Sequence, residues 1–252
     1  MKRHHRQRTA EKLLAPLNSQ SSLSVYLKEV IYGGVDGIIT TFAVVAGFSG
    51  AAFSNESAAQ LSFLMVLLFG LANLFADGIS MGLGNFLAVR SEQSLYCSVR
   101  SKEKDVSEQN SGHETQETKL ILMAKGFSEE DALTLTNIYK KNEKFWVDFL
   151  MSYELKMTDP TDEKPLLTGT VTFLSFVIFG CIPLIPFVIF GAFEPQTVFE
   201  FSAGGAIIAL VMLGILKWRV IGTGLVRSVG EVVLVGSAAA SIAFLVGTLF
   251  TF

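Results

Sequence analysis

The sequence predicts an all-α integral membrane protein with five transmembrane helices per protomer and a helical insert on the cytosolic side, between the second and third helices. Two observations carry this prediction. Half of the 252 residues are hydrophobic and the mean hydropathy is +0.46, a more apolar composition than a soluble domain of this length needs. The charges are also segregated, since no Lys or Arg lies between residues 166 and 216.

Five apolar segments each have about the length that crosses a hydrocarbon core of roughly 30 Å as a helix. They are residues 31–53, 61–89, 166–191, 198–216 and 229–252. The chain is accordingly divided into four parts: a basic tail over 1–24, two membrane helices over 25–90, an insert over 91–164 and three membrane helices over 165–252. The tail has no apolar stretch behind its basic start, so it is not expected to be a signal peptide.

Charge position predicts the orientation. All 20 Lys and Arg residues lie in the tail up to Lys28, within 90–164 or within 217–227. The positive-inside rule places these three regions in the cytosol, and five crossings then leave the C-terminus in the lumen or outside.

Two carboxylates are predicted inside the bilayer, where a charge costs about 2.5–3.5 kcal/mol and so indicates a function. Asp36 would lie about 9 Å, and Asp77 about 6 Å, from the cytosolic edge of its helix at 1.5 Å per residue. Thr40 is one turn from Asp36, and Asn73 and Met81 are one turn from Asp77 on either side. Oxygen ligands with one thioether suit a divalent transition metal such as Fe²⁺, so these five residues are predicted to offer ligands to such an ion.

The same residues also have structural interpretations. Asp36 could accept hydrogen bonds from its surroundings, Asp77 could lie at a wet interface, and Met81 could be a packing residue. Gly78 and Gly82 form a GxxxG pair, for which we favour a close helix contact at a dimer axis.

The insert is predicted to be helical, with breaks at residues 107–112, at Gly126 and at Asp159–Pro160. Ser128 and Asp131 have the spacing of a capping box and should start a helix. Three or so amphipathic helices are too few for a large core, so they should pack on a partner subunit or on an extension of the second membrane helix.

One face of the insert carries closely spaced acidic residues. Glu114 and Glu117 are three positions apart, and Met151 and Glu154 repeat that spacing. Like charges placed in this way repel unless a cation joins them, although glutamates on a solvated helix are also common. His113 is next to this face and is interpreted as solvated.

Four segments resemble the signature segments of the vacuolar iron transporter family, five-span transporters of yeast, plants and parasites. They are DGIITTFAVVAGFSGA (36–51), ADGISMGLGNFLAVRSE (76–92), WVDFLMSYEL (146–155) and GCIPLIPF (180–187). The resemblance extends over the chain from Tyr26 onward and includes the position of the acidic insert.

This resemblance implies a homodimeric, H⁺-coupled transporter that moves cytosolic Fe²⁺, and in some members Mn²⁺, into an acidic compartment such as the vacuole. It implies that Asp36 and Met81 line the path between the two subunits. It also implies metal ligands in the insert at Glu103, Glu114, Glu117, Met151 and Glu154, and we add Glu92, where the second helix leads into the insert. Metal ions, protons and membrane lipid are the expected partners, with no nucleic acid and no prosthetic group.

Three positions depart from the family pattern. Asn73 stands where the family has a glutamate in the second span, although Asp77 one turn on could replace it. Val106 stands in place of a further insert glutamate, with Asp105 adjacent, and Leu150 in place of one of two methionines. Each departure removes a ligand, so it predicts a different metal number, affinity or selectivity from that of a typical member, and Asn73 also removes a group that could titrate.

Two other functional classes are compatible with parts of the sequence. A ferroxidase-like enzyme would hold iron through Glu-x-x-His pairs in a helical bundle, but the histidines are His4, His5 and His113, which argues against an enzyme. A membrane metal sensor or scaffold without transport is the second alternative, and Asn73 is the residue that favours it.

Overall fold

The computed structural model describes residues 25–52, 59–109, 111–190, 193–222 and 224–249, and these residues form helices and no strand. The helices are α1 (Leu27–Ala52), α2 (Ala59–Gln109), α3 (Ser111–Ala124), α4 (Glu129–Tyr139), α5 (Glu143–Tyr153), α6 (Pro165–Gly180), a 3₁₀ turn (Ile182–Leu184), α7 (Ile185–Ile189), α8 (Pro195–Ile221) and α9 (Leu225–Leu249). Five segments are long and apolar enough to cross a membrane: Leu27–Ser49, Phe63–Val106, Pro165–Ile189, Gln196–Ile221 and Leu225–Ile242. The all-helical class and the five spans are thus confirmed.

The chain forms two compact units. The apolar unit comprises Met1–Leu83 and Thr168–Phe252, and the insert unit comprises Gly84–Leu167, compared with the predicted insert over 91–164. Helix α2 has 51 residues, which corresponds to about 77 Å at 1.5 Å per residue. Since a hydrocarbon core is about 30 Å thick, more than half of this helix has to lie outside it.

In the apolar unit, α1 packs on α8 and α9 around a core that includes Ile38, Val45 and Leu213. Helix α1 also approaches α6 closely, because a Cβ atom on Gly33 would lie 2.6 Å from the carbonyl oxygen of Thr172. The third span is not one continuous helix. Pro183 and Pro186 lack the N–H group that a helix interior requires, so α6 gives way to a 3₁₀ turn and the short α7.

The GxxxG pair makes its contact within the chain. A Cβ atom on Gly82 would lie 2.9 Å from the carbonyl oxygen of Gly169, and one on Gly78 would lie 3.3 Å from the rings of Phe173 and Phe176. The close helix contact is as expected, but its partner is α6 and not a dimer axis. Glycines allow this approach because they have no side chain to keep the two helix backbones apart.

In the insert unit, α5 packs against α2, where Tyr96, Val147 and Met151 form a buried cluster. This is the second of the two packing alternatives, the extension of the second membrane helix. A further cluster joins α3, α4 and α5 through Leu122, Ala132 and Phe149.

The ends of the insert helices are set largely by residues next to each end. Gly126 has a φ of +99° just beyond α3, and the Ser128 hydroxyl caps α4 by accepting the N–H of Asp131 at 3.2 Å, as predicted. The prediction that the last helix continues to Asp159–Pro160 was wrong, since α5 ends at Tyr153. Lys156 has a φ of +53°, and the N–H of Met157 turns back to the carbonyl of Met151 at 2.9 Å.

Candidate functional site

The insert unit brings together four glutamates that we call the glutamate cluster: Glu103, Glu114, Glu117 and Glu154. Glu103 lies on α2, Glu114 and Glu117 lie on α3, and Glu154 is the residue that follows α5. Carboxylate oxygens of Glu103, Glu114 and Glu154 lie within 4.8 Å of one another. Three separate segments therefore direct carboxylates to one point.

Contacts around the cluster fix this convergence. The indole N–H of Trp146 on α5 donates to the Thr118 hydroxyl on α3 at 2.8 Å, and both residues are buried. The Arg100 guanidinium on α2 donates to the Asp148 carboxylate on α5 at 2.7 Å. Because these two bonds join α5 to α3 and to α2, they hold the segments that carry the four glutamates.

The electrostatics of the cluster are unfavourable without a cation. One buried oxygen on each of the four glutamates accepts no hydrogen bond, and Glu114 is only 3% exposed. Burial raises the pKa of Glu154 to about 8, with further contributions from a hydrogen bond shared with Glu117 and from the charges of Glu117, Glu103 and Glu114. At neutral pH and without a metal ion, the cluster thus retains a proton on Glu154, which reduces the negative charge of the cluster.

The donor set fits a divalent cation. Carboxylate oxygens suit Mg²⁺, Ca²⁺ and Mn²⁺, and Fe²⁺ also accepts them. Buried carboxylates that lack donors cost free energy unless a cation or a proton joins them. The cluster can therefore bind a divalent ion and release a proton as it does so.

Glu92 and Met151 are the other two predicted insert ligands, and of these Glu92 lies away from the glutamate cluster. Glu92 is exposed and precedes Glu103 by eleven residues on the same helix, about 16 Å along its axis. Met151 is fully buried and packs with Tyr96 and Val147. Among the departing positions, Val106 is exposed and Leu150 is a core residue.

His113, which the sequence predicts to be solvated, lies next to two of the four glutamates. Its Nδ1 atom lies 3.7 Å from Oε1 of Glu114 and 3.6 Å from Oε2 of Glu117. The spacing from His113 to Glu117 is i, i+4 on a helix, which places both on one face, and this signal was available in the sequence.

In the apolar unit, Asp36 lines an open cavity of about 760 Å³ between α1, α8 and α9. The other polar residues that line it include Lys28, Lys217 and Glu231. Lys217 donates to Glu231 at 2.6 Å, and Arg227 donates to the other oxygen of Glu231 at 3.0 Å. Asp36 therefore faces a space whose other charges are mixed in sign.

The other predicted path residues lie on α1 and α2. Asp77 is close enough to Asp36 for the two carboxylates to interact electrostatically, and both are partly buried. The Thr40 hydroxyl donates to the Asp36 backbone carbonyl at 2.8 Å, a bond typical of threonine within a helix. Asn73 is partly buried, and Met81 packs against the hydrophobic core.

Comparisons with known proteins agree on one family. A sequence model described as the VIT family matches residues 27–248. The chain is 34% identical over 239 residues to a vacuolar iron transporter of Toxoplasma gondii, covering 92% of this chain and 76% of that protein. It is 32% identical over 228 residues to a vacuolar iron transporter of Plasmodium falciparum, covering 88% and 81%.

A plant relative gives the same result. Vacuolar iron transporter 1 of Arabidopsis thaliana is 30% identical over 220 residues, which cover 86% of this chain and 83% of that protein. The relatives are named as transporters, in agreement with the expectation that the chain is not an enzyme. With its five apolar helices, the chain is an integral membrane protein that belongs to the VIT family.

Proposed function

We propose that this protein transports a divalent transition metal, with Fe²⁺ as the first substrate and Mn²⁺ as the second, from the cytosol into an acidic compartment in exchange for protons. The observation that carries the proposal is the glutamate cluster, whose four buried oxygens accept no hydrogen bond. A bound cation or bound protons neutralise such a site, and the divalent ion is the occupant that the donor set fits. The names of the relatives support iron as the cargo and the vacuolar membrane, or another acidic endomembrane, as the location.

In this proposal the glutamate cluster captures the ion and the membrane path conducts it. Asp36, Thr40, Asn73, Asp77 and Met81 form the path, and the Asp36 carboxylates of two subunits in a homodimer hold the ion inside the membrane. Metal binding requires deprotonated carboxylates, so protons from the acidic side compete for them and drive release. The positions of Lys and Arg support a cytosolic N-terminus and a lumenal C-terminus.

The test is metal uptake into vesicles that contain the purified protein. We expect Fe²⁺ and Mn²⁺ uptake well above that of protein-free vesicles when the lumen is acidic, reduced uptake without the pH gradient, and little uptake of Mg²⁺. Uptake that is the same with and without the gradient would remove proton exchange from the proposal, and uptake equal to that of protein-free vesicles would reject transport.

Asn73 favours a second candidate, a membrane metal sensor that binds the ion but does not move it. Asparagine cannot titrate, so it removes one group that could exchange a metal ion for a proton. The same vesicles distinguish the two candidates, because a sensor would bind Fe²⁺ in solution and give no uptake under either pH condition.

A further inference from the structure

We propose that His113, together with Glu114 and Glu117, forms an outer metal subsite in which an imidazole nitrogen makes the insert selective for borderline transition-metal ions over Mn²⁺ and Mg²⁺. This inference rests on the proposed function, since it assumes that the glutamate cluster binds a divalent ion. It adds a nitrogen ligand at a position that the sequence predicts to be solvated.

The distances fit an ion placed between the three side chains. Ligand atoms about 2.1 Å from a tetrahedral ion lie about 3.4 Å from one another, and they lie farther apart at wider angles. Nδ1 of His113 lies 3.7 Å and 3.6 Å from the two carboxylate oxygens. An ion can therefore be accommodated with small side-chain shifts.

The side chains are not already satisfied by one another. Distances of 3.6–3.7 Å are longer than an N–H···O hydrogen bond, which has its usual range at 2.7–3.2 Å. Oε2 of Glu117, the oxygen 3.6 Å from His113, is buried and accepts no hydrogen bond. On Glu114, whose side chain is 4% exposed, Oε1 lies 3.7 Å from His113 and the other oxygen, Oε2, is buried and accepts no hydrogen bond. The group thus includes two buried carboxylate oxygens without a hydrogen-bond partner, one of them next to the imidazole, which an ordinary surface ion pair does not have.

Exposure distinguishes His113 from the glutamates. The side chain of His113 is 61% exposed and that of Glu117 is 32% exposed, whereas Glu103 is 9% exposed and Glu154 is partly buried. Glu114 belongs to both groups of potential ligands, the outer one with His113 and Glu117 and the inner one with Glu103 and Glu154. An arriving ion would therefore meet the outer subsite first and could pass to the inner one through Glu114.

The ligand types explain the expected selectivity. Imidazole nitrogen suits Fe²⁺, Co²⁺ and Zn²⁺, whereas a site of carboxylate oxygens alone also suits Mg²⁺, Ca²⁺ and Mn²⁺. Affinity for a mixed nitrogen and oxygen site generally rises from Mn²⁺ to Fe²⁺ and Co²⁺. The inner group consists of carboxylates alone. His113 is therefore the ligand that would favour Fe²⁺ and Co²⁺ over Mn²⁺ and Mg²⁺.

The first test is the histidine NMR spectrum of the full-length protein in detergent, with labelled histidine. The chain has three histidines, so the His113→Ala variant identifies the His113 signal directly. We expect saturating Zn²⁺ to shift this signal in the unmodified protein. An unshifted His113 signal while calorimetry detects bound Zn²⁺ would overturn the inference and leave metal binding by the cluster intact. Absence of any bound metal would overturn both the inference and the proposed function.

The second test compares affinities for Co²⁺ and Mn²⁺ by calorimetry. We expect His113→Ala to lower the Co²⁺ affinity by about tenfold or more and to change the Mn²⁺ affinity much less. The control is Gln116→Ala, an exposed residue of the same helix, which should change neither. An equal loss for both ions, or no loss for either, would contradict a selective role for His113.

Discussion

The glutamate cluster and the Asp36 cavity use carboxylates in opposite settings. The cluster gathers four acidic side chains with unpartnered buried oxygens, whereas Asp36 shares its cavity with Lys28, Lys217 and Glu231. A cation that enters the cluster removes repulsion, but one at Asp36 also meets neighbouring positive charges. Under the proposed function, we therefore expect tight capture in the insert unit and weaker, faster exchange in the apolar unit.

The largest expected effect separates transport from capture. Asp36→Asn keeps the shape of the side chain and removes its charge, so we expect Fe²⁺ uptake into vesicles to fall to the level of protein-free vesicles. Tight metal binding at the glutamate cluster, measured by calorimetry on the same preparation, should not change. The control is Asp162→Asn in an exposed turn of the insert unit, which should transport normally. Normal uptake by Asp36→Asn would contradict the role of Asp36 in transport.

Substitutions in the glutamate cluster are expected to have the opposite result, with metal binding lost and uptake kept. Glu114→Gln combined with Glu154→Gln removes two anionic ligands, and we expect the affinity for Co²⁺ or Mn²⁺ to fall by more than about a hundredfold in calorimetric titrations. Uptake at saturating metal should persist, because the Asp36 cavity is unchanged. Glu130→Gln, on the exposed side of α4, is the matched control. Unchanged affinity in the double variant would show that the cluster is not the capture site.

A smaller effect concerns how α1 holds Asp36. A Cβ atom on Gly37 would collide with the backbone of Phe176, whereas a Cβ atom on Gly47 in the same helix meets no atom within 4 Å. We expect Gly37→Ala to destabilise the protein by about 1–3 kcal/mol and to lower the thermal unfolding midpoint and the uptake rate. Gly47→Ala should be neutral or stabilising by up to about 1 kcal/mol. Equal midpoints for both variants would contradict the close contact between α1 and α6.

The last prediction is a pH dependence of stability to which Glu154 of the cluster contributes. The folded chain raises the pKa of Glu154 from 4.5 to about 8, so it binds a proton that the unfolded chain releases above pH 4.5. This contribution to stability is complete below that value and declines as the pH rises toward about 8.

We therefore expect the unfolding midpoint of the metal-free protein to fall between about pH 5 and about pH 8 more steeply than that of Glu154→Gln, and bound Mn²⁺ to oppose the fall. Identical slopes for the two proteins would show that Glu154 does not carry the raised pKa.

Local features of this chain could be predicted from the sequence because their causes are local. The Ser128 cap needs only Asp131 three residues later, and the five spans follow from length and apolar composition. The early end of α5 was not predictable in this way. It is followed by Lys156 in a left-handed backbone conformation, which is typical of glycine or asparagine and not expected for lysine.

The candidate site shows a similar division. The spacing of Glu114 and Glu117 indicates one helix face, but their meeting with Glu103 and Glu154 depends on how α2, α3 and α5 pack. The GxxxG pair predicts a close helix contact, but the sequence does not show which helix is the partner; in the structure it is α6. The cavity that Asp36 shares with Lys217 joins residues far apart in the chain, so no local pattern could reveal it.

The most direct test of metal-for-proton exchange is simultaneous recording of Fe²⁺ uptake and lumenal pH in vesicles that contain the protein and start with an acidic lumen. The account predicts that Fe²⁺ entry is accompanied by a rise in lumenal pH beyond the passive leak, and that Asp36→Asn abolishes both signals. Fe²⁺ entry with no change in lumenal pH beyond that leak, or entry that persists in Asp36→Asn, would contradict it.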